Sequence, residues 1–419
     1  MKLTVKRMRF GDCCVLEGRR RLIVDCGSDS QDLDAGRSAQ AFAYAAIQRE
    51  INDLLPTDVL ISHLHSDHFC GFLSLPDGGT PLSPGWPVET AYLPWTVCHG
   101  TPLFSGALAR LLVTAPPRSF ALRLSARSVA LLKRLEHSVR QIQMVQAGDR
   151  ISLGGRSALD VLWPRVELAA GLPLRNGLSF LARDRQLAGE YRLLAEREAE
   201  GARREERIAL LDLLDAGDRT GEALAQYLIL LHGEALFQAS RREALHRLRD
   251  SLEPLEAARW AFWGNGADLT PLQLAVAAFS TAQYHALIDG LNATSVVCQL
   301  DERVLFSGDA PPKVFRLLRD EGTLRPTYRV VKLPHHGTGR YFTPTLPAAE
   351  HYIVSNGGYA SRKVGARVLE ALAAACPGCV FHCTDAHVRA ARDCQYVGDH
   401  GGCHPACIPI LTRELVLNL

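Results

Sequence analysis

The chain lacks an excess of charge of either sign: its formal net charge is +2 with histidine neutral. That balance gives no general bias toward nucleic acid or membrane surfaces. No run of 18 apolar residues occurs, which excludes an apolar membrane-spanning helix. The opening Met1-Lys2-Leu3-Thr4-Val5-Lys6-Arg7-Met8 lacks the apolar core of a secretory leader and reads as a first strand. A cytoplasmic protein with no membrane partner is therefore expected. Internal repeats and low-complexity linkers are also missing, so residues 1–419 read as one elaborated domain. What the chain does have is apolar material, 47% of its residues, enough for a large core.

Against this even background one segment stands out. Asp58-Val59-Leu60-Ile61 reads as a buried strand, and Ser62-His63-Leu64-His65-Ser66-Asp67-His68 follows it at once. Histidines at i and i+2 of an extended segment project to the same side, so His63 and His65 can grip one cation. The turn that follows can aim Asp67 and His68 at a second.

Other segments carry strands that end in polar groups. Residues 10–17 and 22–27 read as a hairpin closing on Asp25-Cys26-Gly27, with Asp12 near its start. Residues 293–300 and 304–309 make two more strands, the second ending in Asp309. Tyr328 to Leu333 is another, ending in Pro334-His335-His336-Gly337.

The HxHxDH segment, Asp309 and the histidine pair resemble the metallo-β-lactamase-fold metallohydrolases. Within them, Asn292-Ala293-Thr294-Ser295, Phe306-Ser307-Gly308-Asp309 and Leu333-Pro334-His335-His336-Gly337 are similar to the hydrolase domain of ComEC-type DNA-uptake proteins and to related choline-phosphate esterases. The resemblance implies an α/β fold, an αββα sandwich with metals at one edge, its core at about 1–100, 140–170 and 285–419. It also implies two divalent ions, zinc or manganese. Their ligands would be His63, His65, Asp67, His68, Asp309 as the bridging carboxylate, and His336. Asn292 stands where most members carry a histidine, so it would be a weak, neutral ligand. His335 would be left to contact a phosphate oxygen or protonate a leaving group, although sequence alone does not separate its role firmly from that of His336. Asp12 and Asp25 are at most orienting groups behind a metal-bound histidine, and Lys332 points toward the site or away from it.

A hydroxide between two cations is a nucleophile at neutral pH, because the pKa of a bound water falls to roughly 7. The expected activity is therefore metal-dependent hydrolysis, with Asp67, His335 and Asp309 as catalytic residues. A phosphodiesterase or nuclease acting on nucleic acid or a nucleotide comes first. An acyl hydrolase of lactonase or thioesterase type, or a scaffold protein with a degenerate site, are the alternatives.

More than two hundred residues separate His68 from Asn292. Leu122 to Val139 has a helical pattern and Leu159 to Trp163 that of a strand, and residues 177–263 read as a helical insertion. There, apolar residues recur every three or four positions between Arg and Glu. The paired acids argue for a solvated, salt-paired face ahead of a phosphate-binding groove. The insertion could be a lid, a substrate selector or a docking surface for a protein partner. Trp260, Phe262 and Trp263 read as core residues before base-stacking ones.

Residues 376–407 are rich in cysteine and histidine. Cys376, Cys379, Cys383, Cys394, Cys403, His404 and Cys407 are candidate ligands of one structural zinc, with Cys376-Pro377-Gly378-Cys379 at knuckle spacing. The alternative is a set of reduced, partly buried thiols. Beyond them, Ile408 to Val416 reads as one closing strand.

Overall fold

A computed structural model describes residues 1–29, 38–52, 55–78, 87–99, 101–165, 189–190, 192–194, 196–197, 204–232, 238–264, 268–356, 364–384, 403–410 and 412–419. The N-terminal apolar runs fold as an antiparallel meander of β1 (Lys2–Lys6), β2 (Cys14–Glu17) and β3 (Arg21–Val24). Three strands then add in parallel: β4 (Thr57–Leu60), β5 (Val88–Pro94) and β6 (Val139–Val145). β4 is buried along its whole length, as expected of a parallel strand covered on both faces. β15 (Glu414–Asn418) completes this seven-stranded sheet beside β1.

The second sheet has eight strands and the same division. β7 (Arg150–Ser152), β8 (Ala158–Trp163), β9 (Val297–Leu300) and β10 (Val304–Phe306) are antiparallel in succession. β11 (Thr327–Lys332), β12 (Ala348–Val354), β13 (Val380–Cys383) and β14 (Cys407–Pro409) continue in parallel from β10. Leu3, Leu16, Val24 and Leu60 of the first sheet form one buried core with Val161, Leu300, Phe306, Val330 and Ile353 of the second. The sheets therefore pack face to face as a mixed α/β sandwich, each fully buried apolar side chain contributing about 1.5–3 kcal/mol.

The closing segment differs from expectation. Residues 408–416 do not form one strand, because the chain leaves β14 after Pro409, buries Ile410, and enters β15 in the other sheet. Ile410 still donates its N–H to Cys383 O and buries its side chain, and pairing with β1 begins only at Glu414.

The chain divides into two compact units, residues 1–95, 134–165 and 292–419 in one, and 96–133 and 166–291 in the other. The second is helical and takes in residues before 134 as well as the helix-rich stretch. Its helix Arg204–Leu231 buries Leu210, Leu213, Leu214, Leu224, Leu228 and Leu231, the spacing of one apolar face. Gly217 and Gly221 let that helix lie close against the helix Thr101–Thr114, where a Cβ on Gly217 would come within 2.6 Å of Val113. Phe262 and Trp263 are buried edge to face, whereas Trp260 is 60% exposed. No described helix is long and apolar enough to cross a membrane.

Lys6 ties the N-terminal unit together. Its buried Nζ donates to Glu50 Oε1 at 2.5 Å and Glu414 Oε2 at 2.6 Å, joining β1 to the helix Ala39–Ile51 and to β15. Lys6→Met leaves the buried Glu50 without this partner, and we expect it to lower unfolding stability by about 3 kcal/mol. The readout is a lower urea midpoint at unchanged m-value, with Glu50→Gln in the same chain recovering part of the loss.

Candidate metal centre

Strand direction brings the polar turns together. β3 and β4 are parallel, so the turns after Val24 and Leu60 lie at one end of their sheet, and β2 runs opposite to β3, which puts the turn before Cys14 there too. In the second sheet β10 and β11 are parallel and deliver Asp309 and His335-His336, while β9 runs opposite and begins where β10 ends, with Cys298 opposite Phe306. Loops at the carboxyl ends of parallel strands are where α/β folds place their ligands. Five backbone hydrogen bonds hold these turns to one another: Cys26 N to His68 O, Asp12 N to Asp67 O, Gly27 N to Asp12 O, Val296 N to Ser62 O, and His335 N to Gly308 O.

The side chains converge on Asp309, which is fully buried. His63, His65 and Asp309 form one group of atoms all within 4.8 Å of each other, and Asp12, His68, Asp309 and His336 form a second. His63 Nε2 is 3.7 Å and His335 Nε2 3.7 Å from Asp309 Oδ2, and His68 Nε2 is 3.3 Å from Oδ1. Two ligands each about 2.1 Å from a tetrahedral ion are about 3.4 Å apart, so the His63 and His68 separations are those of atoms sharing a cation, whereas His335 belongs to neither group.

The proton inventory points the same way. Ser62 Oγ donates its one proton to Asp25 Oδ2 at 2.7 Å, so the 3.1 Å contact to His63 Nδ1 requires His63 to donate. Burial and the neighbouring His68 and His65 hold the His63 imidazole well below its ordinary pKa, hence neutral. Its Nε2 then turns a lone pair toward Asp309 Oδ2, and neither atom has a hydrogen-bond partner. Two buried lone pairs facing each other are stable only with a cation between them. For Asp309, burial opposes ionisation, but the imidazoles of His68, His335 and His336 outweigh it and hold the carboxyl well below the usual range. The residues present fit a divalent metal.

Each remaining carboxylate has a distinct place. Asp25 takes the Nδ1 proton of His68 at 2.8 Å and the backbone N–H of Ser62 at 2.7 Å, which aims His68 Nε2 at Asp309. Asp67 Oδ2 is 3.0 Å from His336 Nε2, and Asp12 Oδ2 is 3.7 Å from Nδ1 of the same ring. The second group thus contains Asp12 where Asp67 was expected, the two carboxylates lying at opposite edges of one imidazole. Lys332 separates them chemically. It points inward, buried, in an ion pair with Asp12 and 4.0 Å from Asp309 Oδ1. Burial opposes its charge, but Asp12 and Asp309 outweigh that and raise its pKa. An ammonium against Asp12 disfavours a divalent ion on the same carboxylate. Sequence reading left Lys332 undecided because strand alternation alone does not say which face is inward.

Residues 8–81 match the family model of the metallo-beta-lactamase superfamily. The metallo-beta-lactamase match covers the hairpin and the HxHxDH turn, and with the buried Asp/His cluster it suggests divalent metal binding and a metal-dependent hydrolase. No curated protein and no solved structure is significantly similar to the chain.

Asn292, in the last turn of the helix Pro271–Ala293, is buried and donates through Nδ2 to Tyr341 Oη at 2.7 Å. The C-terminal cysteines behave differently from the histidines. Among the described residues, no group of three metal-facing atoms includes Cys376, Cys379, Cys383, Cys403, His404 or Cys407, and Cys394 lies outside the described residues. A hydrogen bond with Cys383 holds the Cys407 thiol below its ordinary pKa.

A Cβ at Gly27 would lie 2.3 Å from the carbonyl carbon of Asp67 and 2.4 Å from the His68 nitrogen. Gly27→Ala must therefore displace the HxHxDH turn, and calorimetric titration with zinc or manganese should show affinity weakened about 10–100-fold. Lys332→Met leaves Asp12 a buried unpaired charge and should cost about 3–5 kcal/mol in urea unfolding, with Asp12→Asn in the same chain recovering most of it.

Proposed function

We propose that the protein is a metal-dependent phosphodiesterase or nuclease with a dinuclear site. The observation that carries this reading is the convergence of the HxHxDH histidines, His336 and Asp309 on one buried point, with His335 facing the same carboxylate. On this reading His63, His65 and Asn292 would hold the first ion, Asp67, His68 and His336 the second, and Asp309 would serve both. Zinc or manganese there would supply Lewis acidity and lower the pKa of a bound water to roughly 7.

The chain's own residues do the rest. Asp25 fixes the ring of His68 from behind, as a hydrogen-bonded carboxylate does for a metal-bound imidazole, and Asp12 lies 3.7 Å from Nδ1 of His336. Lys332 neutralises Asp12, which leaves Asp25, Asp67 and Asp309 against two divalent ions. With a neutral water bound, the loaded centre would be one positive charge in excess, which draws in an anionic phosphodiester ahead of a neutral ester.

His335 is the acid that suits the leaving group. Thr338 Oγ1 gives its proton to the carbonyl of His335 at 3.0 Å, so the 2.6 Å contact with Nδ1 makes the ring the donor. Nε2 then faces the reaction side and can hold or release a proton. Its side chain is 10% exposed, whereas those of His63, His68 and His336 are 0% exposed, so it is the imidazole of these four within reach of a substrate. The likeness of residues 292–295, 306–309 and 333–337 to ComEC-type hydrolase domains supports the phosphodiester substrate class.

The test is hydrolysis of bis(p-nitrophenyl) phosphate and of single- and double-stranded DNA with zinc, manganese or magnesium, comparing wild type with Asp309→Ala. Metal-dependent cleavage that falls by about 10³-fold or more in a folded mutant supports the reading. Cleavage of acyl esters alone would move the assignment to an acyl hydrolase, and no cleavage of either class would indicate a binding protein.

A further inference from the structure

Asn292 is the residue by which this site departs from a histidine-rich first ion shell, and an asparagine is ambiguous as a ligand. Its two branches are nearly the same shape, but only the oxygen can face a cation. Asn292 is 1% exposed, its Oδ1 has no hydrogen-bond partner, and its Nδ2 is taken by Tyr341 Oη at 2.7 Å. The tyrosine therefore occupies the nitrogen branch and leaves the oxygen branch uncommitted in a buried position, where an unmade interaction is costly.

The same tyrosine makes a second contact. Its ring lies flat on His335, with centroids 3.9 Å apart and planes 6° apart, and His335 Nε2 is 3.7 Å from Asp309 Oδ2. Tyr341 sits in the short turn Gly339–Tyr341 right after the histidine pair, and its N–H bonds to the carbonyl of Thr338, whose hydroxyl contacts His335 Nδ1. One buried side chain thus touches the departing ligand and the candidate acid together.

We propose that Tyr341 is a positioning residue that makes Asn292 a ligand: its hydroxyl holds the amide nitrogen so that Oδ1 faces the first ion beside His63, His65 and Asp309. This rests on the dinuclear reading above. Without the hydroxyl the amide can turn, an –NH₂ presented to a cation repels it, and the first ion loses a ligand while the second keeps Asp67, His68 and His336. Stacking on His335 needs only the ring, so Tyr341→Phe separates the two contacts.

The test is stoichiometry and affinity for manganese alone, by calorimetry, in wild type, Asn292→Ala, Tyr341→Phe and the double variant, with thermal melts to verify folding. The expected result is two ions in wild type and a weakening of one of them by about 10–100-fold in either single variant, the other ion unchanged. The double variant should bind no more weakly than Asn292→Ala. Asn292→Asp carries oxygen on both branches, so adding Tyr341→Phe to it should change affinity less than about threefold, because orientation no longer matters. Equal binding by wild type and Tyr341→Phe, or losses that multiply in the double variant, would overturn the role of Tyr341 and leave the dinuclear reading standing. Fewer than two ions in wild type would overturn the dinuclear reading and this proposal with it.

Discussion

Everything at this site depends on keeping Asp309 ionised while it is fully buried. A carboxylate buried between two sheets is costly unless cations and donors surround it. Here the surroundings are imidazoles at 3.3–3.9 Å and one lysine at 4.0 Å. Three of those imidazoles are themselves oriented from behind, by Ser62, Asp25 and Thr338. The result is a set of ring nitrogens converging on one buried carboxylate, the donor arrangement of a metal pocket. The loops that carry the array are latched by backbone hydrogen bonds and by the close approach of Gly27 to Asp67 and His68, so the geometry is set by the scaffold.

The two sheets contribute complementary halves. The first supplies Asp12, Asp25 and the HxHxDH turn, and the second supplies Asp309, Lys332 and the histidine pair. Because each sheet joins an antiparallel part to a parallel part, strand starts and strand ends meet at the same edge. That arrangement brings residues 269 positions apart, Asp67 and His336, to within 3.0 Å of each other at the edge of the inter-sheet core.

Much of the architecture was legible in local pattern. The hairpin, the strand before His63, the strand before His335 and the helix near Leu122 all appear as expected, since each is an apolar run of the right period bounded by turn residues. The C-terminal closing segment was not, because the switch between sheets depends on where Ile410 finds a core. Nor was the placement of residues 96–133, whose packing on the long helix relies on small residues, Gly106, Gly217 and Gly221, far apart in sequence.

Sequence by itself marked the metal-facing residue types: three imidazoles and a carboxylate within six residues leave few chemistries open, and Asp309 and the histidine pair each follow a strand. Only the tertiary structure decided the partners of those residues. That Lys332 faces inward onto Asp12, that Asp12 and Asp67 flank one ring, and that Tyr341 takes the nitrogen branch of Asn292 are relations across 269 to 324 and 49 positions. They are settled by strand order and by which face of a strand is buried. Spacing along the chain encodes what a turn can offer, but burial, which decides whether a charge must find a partner, exists only once the sheets have packed.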